Sequence, residues 1–176
     1  MKIVSVLLLC GAVALTGCAT GGAPSGGGGR MMTEDPGPIQ YRTLDSVNAL
    51  RSAKALQPLQ LNAELNAAAA THSRDMSVQN RPWHFGSDGS SPLDRVRRVG
   101  YTGKLVGELI SETYQTEIET LSDWMEQPDT RAIIMDPKAN QMGFSWYQEP
   151  NGKIWWTMIT GSSAASAPLL AGVPLQ

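Results

Sequence analysis

Two tryptophans stand side by side near the end of the chain, Trp155 and Trp156, inside the run Lys153-Ile154-Trp155-Trp156-Thr157-Met158-Ile159. A run of β-branched and aromatic residues reads as a strand, and successive side chains of a strand point to opposite faces of the sheet. Each ring carries a large apolar area that water does not tolerate well. Both faces of this sheet must therefore be covered. Residues 142–147, Met-Gly-Phe-Ser-Trp-Tyr, supply a second strand. The connection Glu149-Pro150-Asn151-Gly152 contains Asn-Gly, which offers the positive φ that a tight hairpin turn uses.

What covers the sheet is read from helical periodicity upstream. A first helix is expected near residues 44–51, with Leu44, Val47 and either Leu50 or Arg51 on one side. Pro58 ends that segment, because it cannot continue a helix and restrains Gln57. Asn62 then caps a second helix running to about Gln79, with Leu61, Leu65, Ala69, His72 and Met76 in phase. Residues 81–92 form a loop, and residues 93–99 a short helix stopped by Gly100. Residues 105–110 have strand character. Residues 117–126 form a third substantial helix, with Ile118, Leu121 and Met125 on one face and Trp124 beside them. Helices first and a hairpin last suggest an α+β arrangement in layers.

The N-terminus carries an address rather than a fold. Met1-Lys2 is a short positive end, and residues 3–15 are apolar apart from Ser5 and Gly11. A bilayer-spanning helix needs about 20 apolar residues, so this stretch has the length of a secretory signal core. It ends in Leu15-Thr16-Gly17-Cys18, which looks like a bacterial lipobox. Residues 1–17 are then a signal peptide, and Cys18 is the lipidated first residue of the mature chain, carrying palmitate-type acyl chains. One acyl chain binds membranes marginally and two anchor stably. Ala19, with no Asp in that position, resembles the pattern sent to the outer membrane, facing the periplasm, if the host is Gram-negative. Residues 18–40 are the lipidated Cys and a Gly-rich tether. Residues 41–161 are the folded domain, and residues 162–176 are a loose tail.

Composition excludes two classes. The only other cysteine, Cys10, lies in the removed leader, so the mature chain has no disulfide and depends on a packed core. The chain has 14 basic against 16 acidic residues, and its longest basic run is Arg97-Arg98. Nucleic acid is therefore not the expected partner.

The common catalytic signatures are absent: no His-Glu-x-x-His, no Gly-x-Ser-x-Gly, no phosphate loop, no Cys-x-x-Cys. Two histidines remain. His72 lies on the apolar face of its helix and reads as a core histidine. His84 sits in a Gly- and Ser-rich loop, with Asp88 beyond it and Glu108 in a later strand. A histidine with two carboxylates can bind a cation or share a proton. It can equally be a loop residue that bonds locally, and both readings stay open.

Read in order, the residues resemble the CAP superfamily, also called the SCP domain (cysteine-rich secretory, antigen 5 and pathogenesis-related proteins). The resemblance rests on Asn48-x-x-Arg51, on Leu56-Gln-Pro-Leu59-x-Leu61-Asn62, and on Leu65-x-x-Ala68 to Asp75-Met76. It continues through His84 with Asp88-Gly89, Asp94-Arg95 to Gly100-Tyr101, and Gly107-Glu108. Trp124, Pro128 and Arg131 to Ile134, then Gly143 and Ile154-Trp155-Trp156, complete it over about residues 42–161.

The resemblance implies an α-β-α sandwich with a small, mostly antiparallel sheet between helices. It also implies a cavity with two His and two acidic residues, where many members hold a divalent metal. Carried over residue by residue, these are His84, Glu108 and Asp88, while Thr130 stands where the second His belongs and Leu109 replaces the motif's Asn. A hydroxyl is a poor zinc ligand. The expectation is therefore an altered site with no tight zinc and no other cofactor, although His84, Asp88 and Glu108 could hold a harder cation weakly with water.

The expected function is a lipid-anchored envelope module that binds a small apolar ligand or another envelope component. The alternative is a hydrolase or metal-dependent enzyme with His84 as base and Glu108 orienting it or a water. Ser87, Ser90 and Ser111 are the available nucleophiles, none at a persuasive spacing. A third reading is a structural protein with a vestigial site.

Overall fold

The computed structural model describes residues 35–163. The signal segment, Cys18, most of the Gly-rich tether and the tail beyond residue 163 lie outside the described residues. Helix α1 spans Pro36–Ser52, strand β1 Gln60–Leu61, helix α2 Ala63–Gln79 and helix α3 Pro92–Arg98. Strand β2 follows at Lys104–Ser111, then helices α4 Glu117–Glu126 and α5 Pro128–Ile134, and strands β3 Gln141–Gln148 and β4 Ile154–Ser162. The sheet order is β1-β3-β4-β2, with β1–β3 parallel and the other two pairs antiparallel. One helix layer, α2 with α3, covers one face, and α1, α4 and α5 cover the other. This is the α-β-α sandwich with a small, mostly antiparallel sheet.

The helix starts are written in capping residues. Asn62 accepts from Leu65 N at 2.8 Å and opens α2. Reciprocal capping boxes open α3 (Ser91 with Asp94) and α4 (Thr116 with Glu119). Asp35 caps α1 through Gly37 N, with proline at the first turn, so the helix begins at Pro36, inside the stretch read from sequence as tether. The hairpin turn closes with Glu149 N donating to Lys153 O at 2.8 Å, and Gly152 takes φ 95° there.

Trp155 and Trp156 are both fully buried, on opposite faces. Trp156 stacks on Phe144 at 5.7 Å and meets Trp146 at 5.8 Å. Its Nε1 donates to Tyr114 O at 2.8 Å. Trp155 Nε1 donates to Glu149 Oε1 at 2.7 Å. Both rings thus bury their carbon and keep a partner for their N–H. On the α2 side Gly143 lets the helix lie directly on β3. A Cβ there would stand 2.1 Å from the Leu65 carbonyl carbon.

The buried stripe decides between the two residues left open in α1 and differs from the periodic expectation in α4. In α1 the buried residues are Ile39, Thr43, Val47 and Arg51, while Leu50 is partly exposed. Arg51 is buried because its guanidinium finds four carbonyls, donating to Gln57 O, Ile134 O, Asp136 O and Ala139 O at 2.6–3.1 Å. In α4 the buried residues are Glu117, Thr120, Leu121 and Trp124, and Ile118 is 46% exposed. Glu117 is drawn inward by Arg42, whose Nε lies 2.8 Å away, and Trp124 by Ile110 O, which accepts from Nε1 at 3.2 Å. Those two anchors rotate the helix so that Ile118 faces outward.

Candidate functional site

Glu108 is aimed by an irregularity in β2. Leu105 pairs with Gly161, but the next partner pair is Gly107 with Thr160, so β2 contains one extra residue there. The bulge restarts the alternation. Leu105 and Glu108, three apart, both turn toward the α2 layer, Leu105 against the Leu65–Val96–Tyr101 cluster and Glu108 against the histidines. The Glu108 side chain is 2% exposed.

Three side chains converge on that carboxylate. From α3, Arg95 Nη2 lies 2.8 Å from Oε1 and 2.7 Å from Oε2. Arg95 also donates from Nη2 to His84 O at 2.9 Å and from Nη1 to Ser90 O at 3.1 Å, so it ties the 84–90 loop to β2. From the loop, His84 Nδ1 sits 2.9 Å from Oε1 with its side chain half exposed. In the tautomer that donates from Nδ1 to this carboxylate oxygen, the neutral His84 ring presents Nε2 as an acceptor. From α2, His72 Nε2 faces Oε1 at 3.6 Å, fully buried.

Neither ring nitrogen of His72 has a hydrogen-bond partner among the described residues. Burial pushes its pKa below the ordinary 6.5. Glu108 pulls the other way, Arg95 adds to the lowering, and the Trp83 backbone lies near enough to favour the charged form without reaching hydrogen-bond geometry. His72 is a neutral imidazole at neutral pH.

The loop itself is fixed by side chains. Asp75 of α2 accepts from Ser87 N at 2.7 Å and Ser87 Oγ at 2.6 Å, and Gly86 N donates to Ser90 O at 2.8 Å. Trp83 Nε1 donates to Gln79 Oε1 at 2.7 Å, and the Arg81 guanidinium lies 3.8 Å from the Trp83 ring centroid.

The residues expected from sequence are divided by the fold. His84 and Glu108 meet. Asp88 turns away to Arg98 Nη1 at 2.5 Å and Ser90 N at 2.9 Å on the exposed side of the loop. Its Ser90 and Arg98 contacts hold its carboxyl well below the usual carboxylate range. Thr130 stands in the opposite helix layer, where its hydroxyl donates to Trp124 O at 2.5 Å and Gln127 O at 3.3 Å and closes the α4–α5 corner. Sequence reasoning passed over Arg95 and treated His72 as core alone. The available signal for Arg95 was its spacing four before Val99, on the buried side of a short helix.

Beside this cluster a cleft of about 440 Å³ opens between α2 and α3. Ala68, Val78 and Val99 give it apolar walls, Arg74 and Arg98 lie at it, and Arg95 forms a wall shared with the Glu108 cluster.

Residues 44–160 match the model of the CAP family, described as the cysteine-rich secretory protein family. The chain belongs to the CAP family. It is 28% identical over 122 residues to the protein YkwD of Bacillus subtilis strain 168, covering 69% of this chain and 47% of that one. The chain thus spans about half the length of that curated relative. Among solved structures it resembles an extracellular SCP-domain protein of Bacillus anthracis (TM-score 0.66, 20% identity, 72% of this chain and 41% of that one). It also resembles an outer surface protein of Borrelia burgdorferi (TM-score 0.68, 13% identity, 74% and 97%). At those identities the likeness concerns the fold.

The residues of this CAP domain do not fit a divalent cation as they are arranged. Both oxygens of Glu108 are taken by the Arg95 guanidinium. Among the described residues no set of three His, Cys, Asp or Glu side chains is arranged to hold a metal ion.

Proposed function

We propose that the protein is a lipid-anchored CAP module of the bacterial cell envelope that binds a small apolar ligand without chemically changing it. The observation that carries the reading is the Arg95 side chain, which neutralises Glu108 on one side and walls the α2–α3 cleft on the other. A carboxylate already neutralised from within is a weak orienting group for a base, whereas the cleft's apolar walls suit an acyl or terpenoid chain. Lipid attachment at Cys18 follows from the lipobox. The extracellular and outer-surface descriptions of the two structural relatives support an envelope location.

The test is titration of the fluorescent fatty acid cis-parinaric acid into the full chain in mild detergent. Thr71→Trp, at an exposed position lining the cleft, fills it and abolishes binding, and His84→Ala leaves binding intact. Binding unaffected by Thr71→Trp contradicts the proposal. Anchoring is read separately: Cys18→Ser moves the protein from the membrane to the soluble fraction and ends acyl labelling.

One observation favours the hydrolase reading: the half-exposed His84 has Glu108 behind Nδ1 and an acceptor at Nε2. That arrangement suits a base acting on water. Hydrolysis of bound ester that disappears in His84→Ala would establish it.

A further inference from the structure

The helix layer opposite the cleft carries an apolar groove of its own. α1 and α4 pack side by side, and Ile118, Leu121 and Met125 lie along one margin of α4. Ala49 and Leu50 of α1 face them across a space of about 360 Å³, which Ser46 and Ser122 are too small to fill. A second hollow of about 430 Å³ continues from Met125 to Leu56, Ala132 and Met135. Met125 lines both, so the two form one groove. Leu50 is 37% and Ile118 46% exposed. Single exposed apolar side chains are ordinary, but a continuous row of them marks a place where something docks.

The chain brings its own occupant to one end of this groove. β4 ends at Ser162, and Asn140 holds the next residue from both sides. Ser163 N donates to Asn140 Oδ1 at 3.1 Å, and Asn140 Nδ2 donates to Ser163 O at 2.8 Å. Asn140 follows a turn at residues 136–139, closed by Ala139 N donating to Asp136 O at 3.1 Å. Met135 of the groove directly precedes that turn. A turn spans less than about 7 Å and each flanking step adds about 3.8 Å, so Asn140 lies within about 15 Å of Met135. Five or six extended residues, at about 3.3 Å each, cover the distance from Ser163. Residues 169–175 are then left to run about 20 Å along the groove. The α4 margin from Ile118 to Met125 is only about 10 Å long.

Composition and charge agree with the reach. Residues 164–176 read Ala-Ala-Ser-Ala-Pro-Leu-Leu-Ala-Gly-Val-Pro-Leu-Gln, without a charge and with three Leu and one Val. Segments that stay in water are charged and poor in such residues. Pro168 and Pro174 favour an extended chain. The groove walls hold no acidic residue, and Lys54 and Arg131 stand at the Met135 end. Two cations there suit the carbonyl oxygens of an uncharged extended segment. Attachment a few residues away gives the segment an effective concentration in the millimolar range, which a separate partner does not have.

We propose that residues 169–175 dock in the α1–α4–α5 groove of their own chain, entering beside Met135 and covering Leu50 and Ile118. The segment is then the last piece of this helix layer rather than a loose tail.

The experiment compares the full chain with a chain lacking residues 164–176, both in native membrane vesicles, by hydrogen peroxide oxidation and peptide mass spectrometry. Removing the segment makes Met125 and Met135 oxidise several-fold faster. Met76, which is fully buried in α2, stays slow in both and reports that the fold is intact. Equal rates at Met125 and Met135 with and without the segment overturn the proposal, whether the groove is open in both proteins or covered in both by lipid or a partner. Cysteine trapping in the full chain identifies the occupant. Leu170→Cys/Ser122→Cys closes a disulfide within one chain, and Leu170→Cys/Thr71→Cys, with the second cysteine on the opposite layer, does not. Equal trapping at the two positions, or disulfides formed only between two copies, contradicts docking of the segment on its own chain.

Discussion

Arg95 of α3 and Glu108 of β2 meet in the interior with Nη2 of the one 2.7–2.8 Å from both oxygens of the other. Neither side chain is more than 4% exposed. The pair joins a short helix and a loop to the sheet, and the two histidines of the domain lie on it. Removing one partner leaves the other charge buried alone. Arg95→Met is expected to cost about 3–5 kcal/mol in urea unfolding. Arg95→Met/Glu108→Gln should recover a large part of that loss, because no uncompensated charge remains.

His72 links stability to pH. Its pKa in the fold is lowered, chiefly by burial. In the unfolded chain it takes up a proton near its ordinary value of 6.5. Below that pH the unfolded state binds more protons than the folded one, so stability falls as pH drops. The loss stops once the pH passes below the folded-state pKa. Unfolding free energies at pH 7.5 and 5.5 should therefore differ more for wild type than for His72→Gln. Equal slopes would contradict a neutral buried His72.

Arg51 is a second buried cation with a structural task. It gathers carbonyls from Gln57 and from three residues at and after the end of α5. Arg51→Met removes the donors and leaves those carbonyls dry. A loss of at least about 3 kcal/mol follows, since hydrogen bonds to charged groups contribute about 1.5–3 kcal/mol each. Thermal and urea unfolding of the variant measure it. A change below about 1 kcal/mol would mean that water replaces the guanidinium at little cost.

Gly143 sets the spacing between α2 and β3. Gly143→Ala pushes a methyl against the Leu65 backbone, which cannot swing aside as a side chain can. Overpacking of this kind costs about 1–3 kcal/mol or more. The measurement is the shift in unfolding midpoint, with the fold checked by near-ultraviolet circular dichroism of the buried tryptophans.

Much of the fold is legible locally. Asn62 announces α2, residues 117–126 announce α4, and Asn151-Gly152 announces the β3–β4 hairpin, because caps and turns are written in neighbouring residues. Trp155-Trp156 alone requires both faces to be covered. What stays hidden depends on partners far along the chain. Arg51 rather than Leu50 turns inward because of carbonyls more than 80 residues away. Ile118 turns outward because Arg42 and Ile110 hold the other side of α4. The two-residue β1 is too short to show a pattern, and α5 follows its neighbour too closely for periodicity to separate them.

The site was half legible for the same reason. His84 and Glu108 could be chosen by chemical type. Arg95 could not, because an arginine in a short basic helix looks like a solvated charge until the bulge at residues 105–107 turns Glu108 toward it.

The measurement that bears most directly on the central claim is native mass spectrometry of the full chain extracted from its own envelope membrane, as wild type, His84→Ala and Thr71→Trp. A binding module carries the same apolar adduct in wild type and His84→Ala and loses it in Thr71→Trp. An adduct that accumulates only in His84→Ala would be a trapped substrate, and would show that the domain is an enzyme.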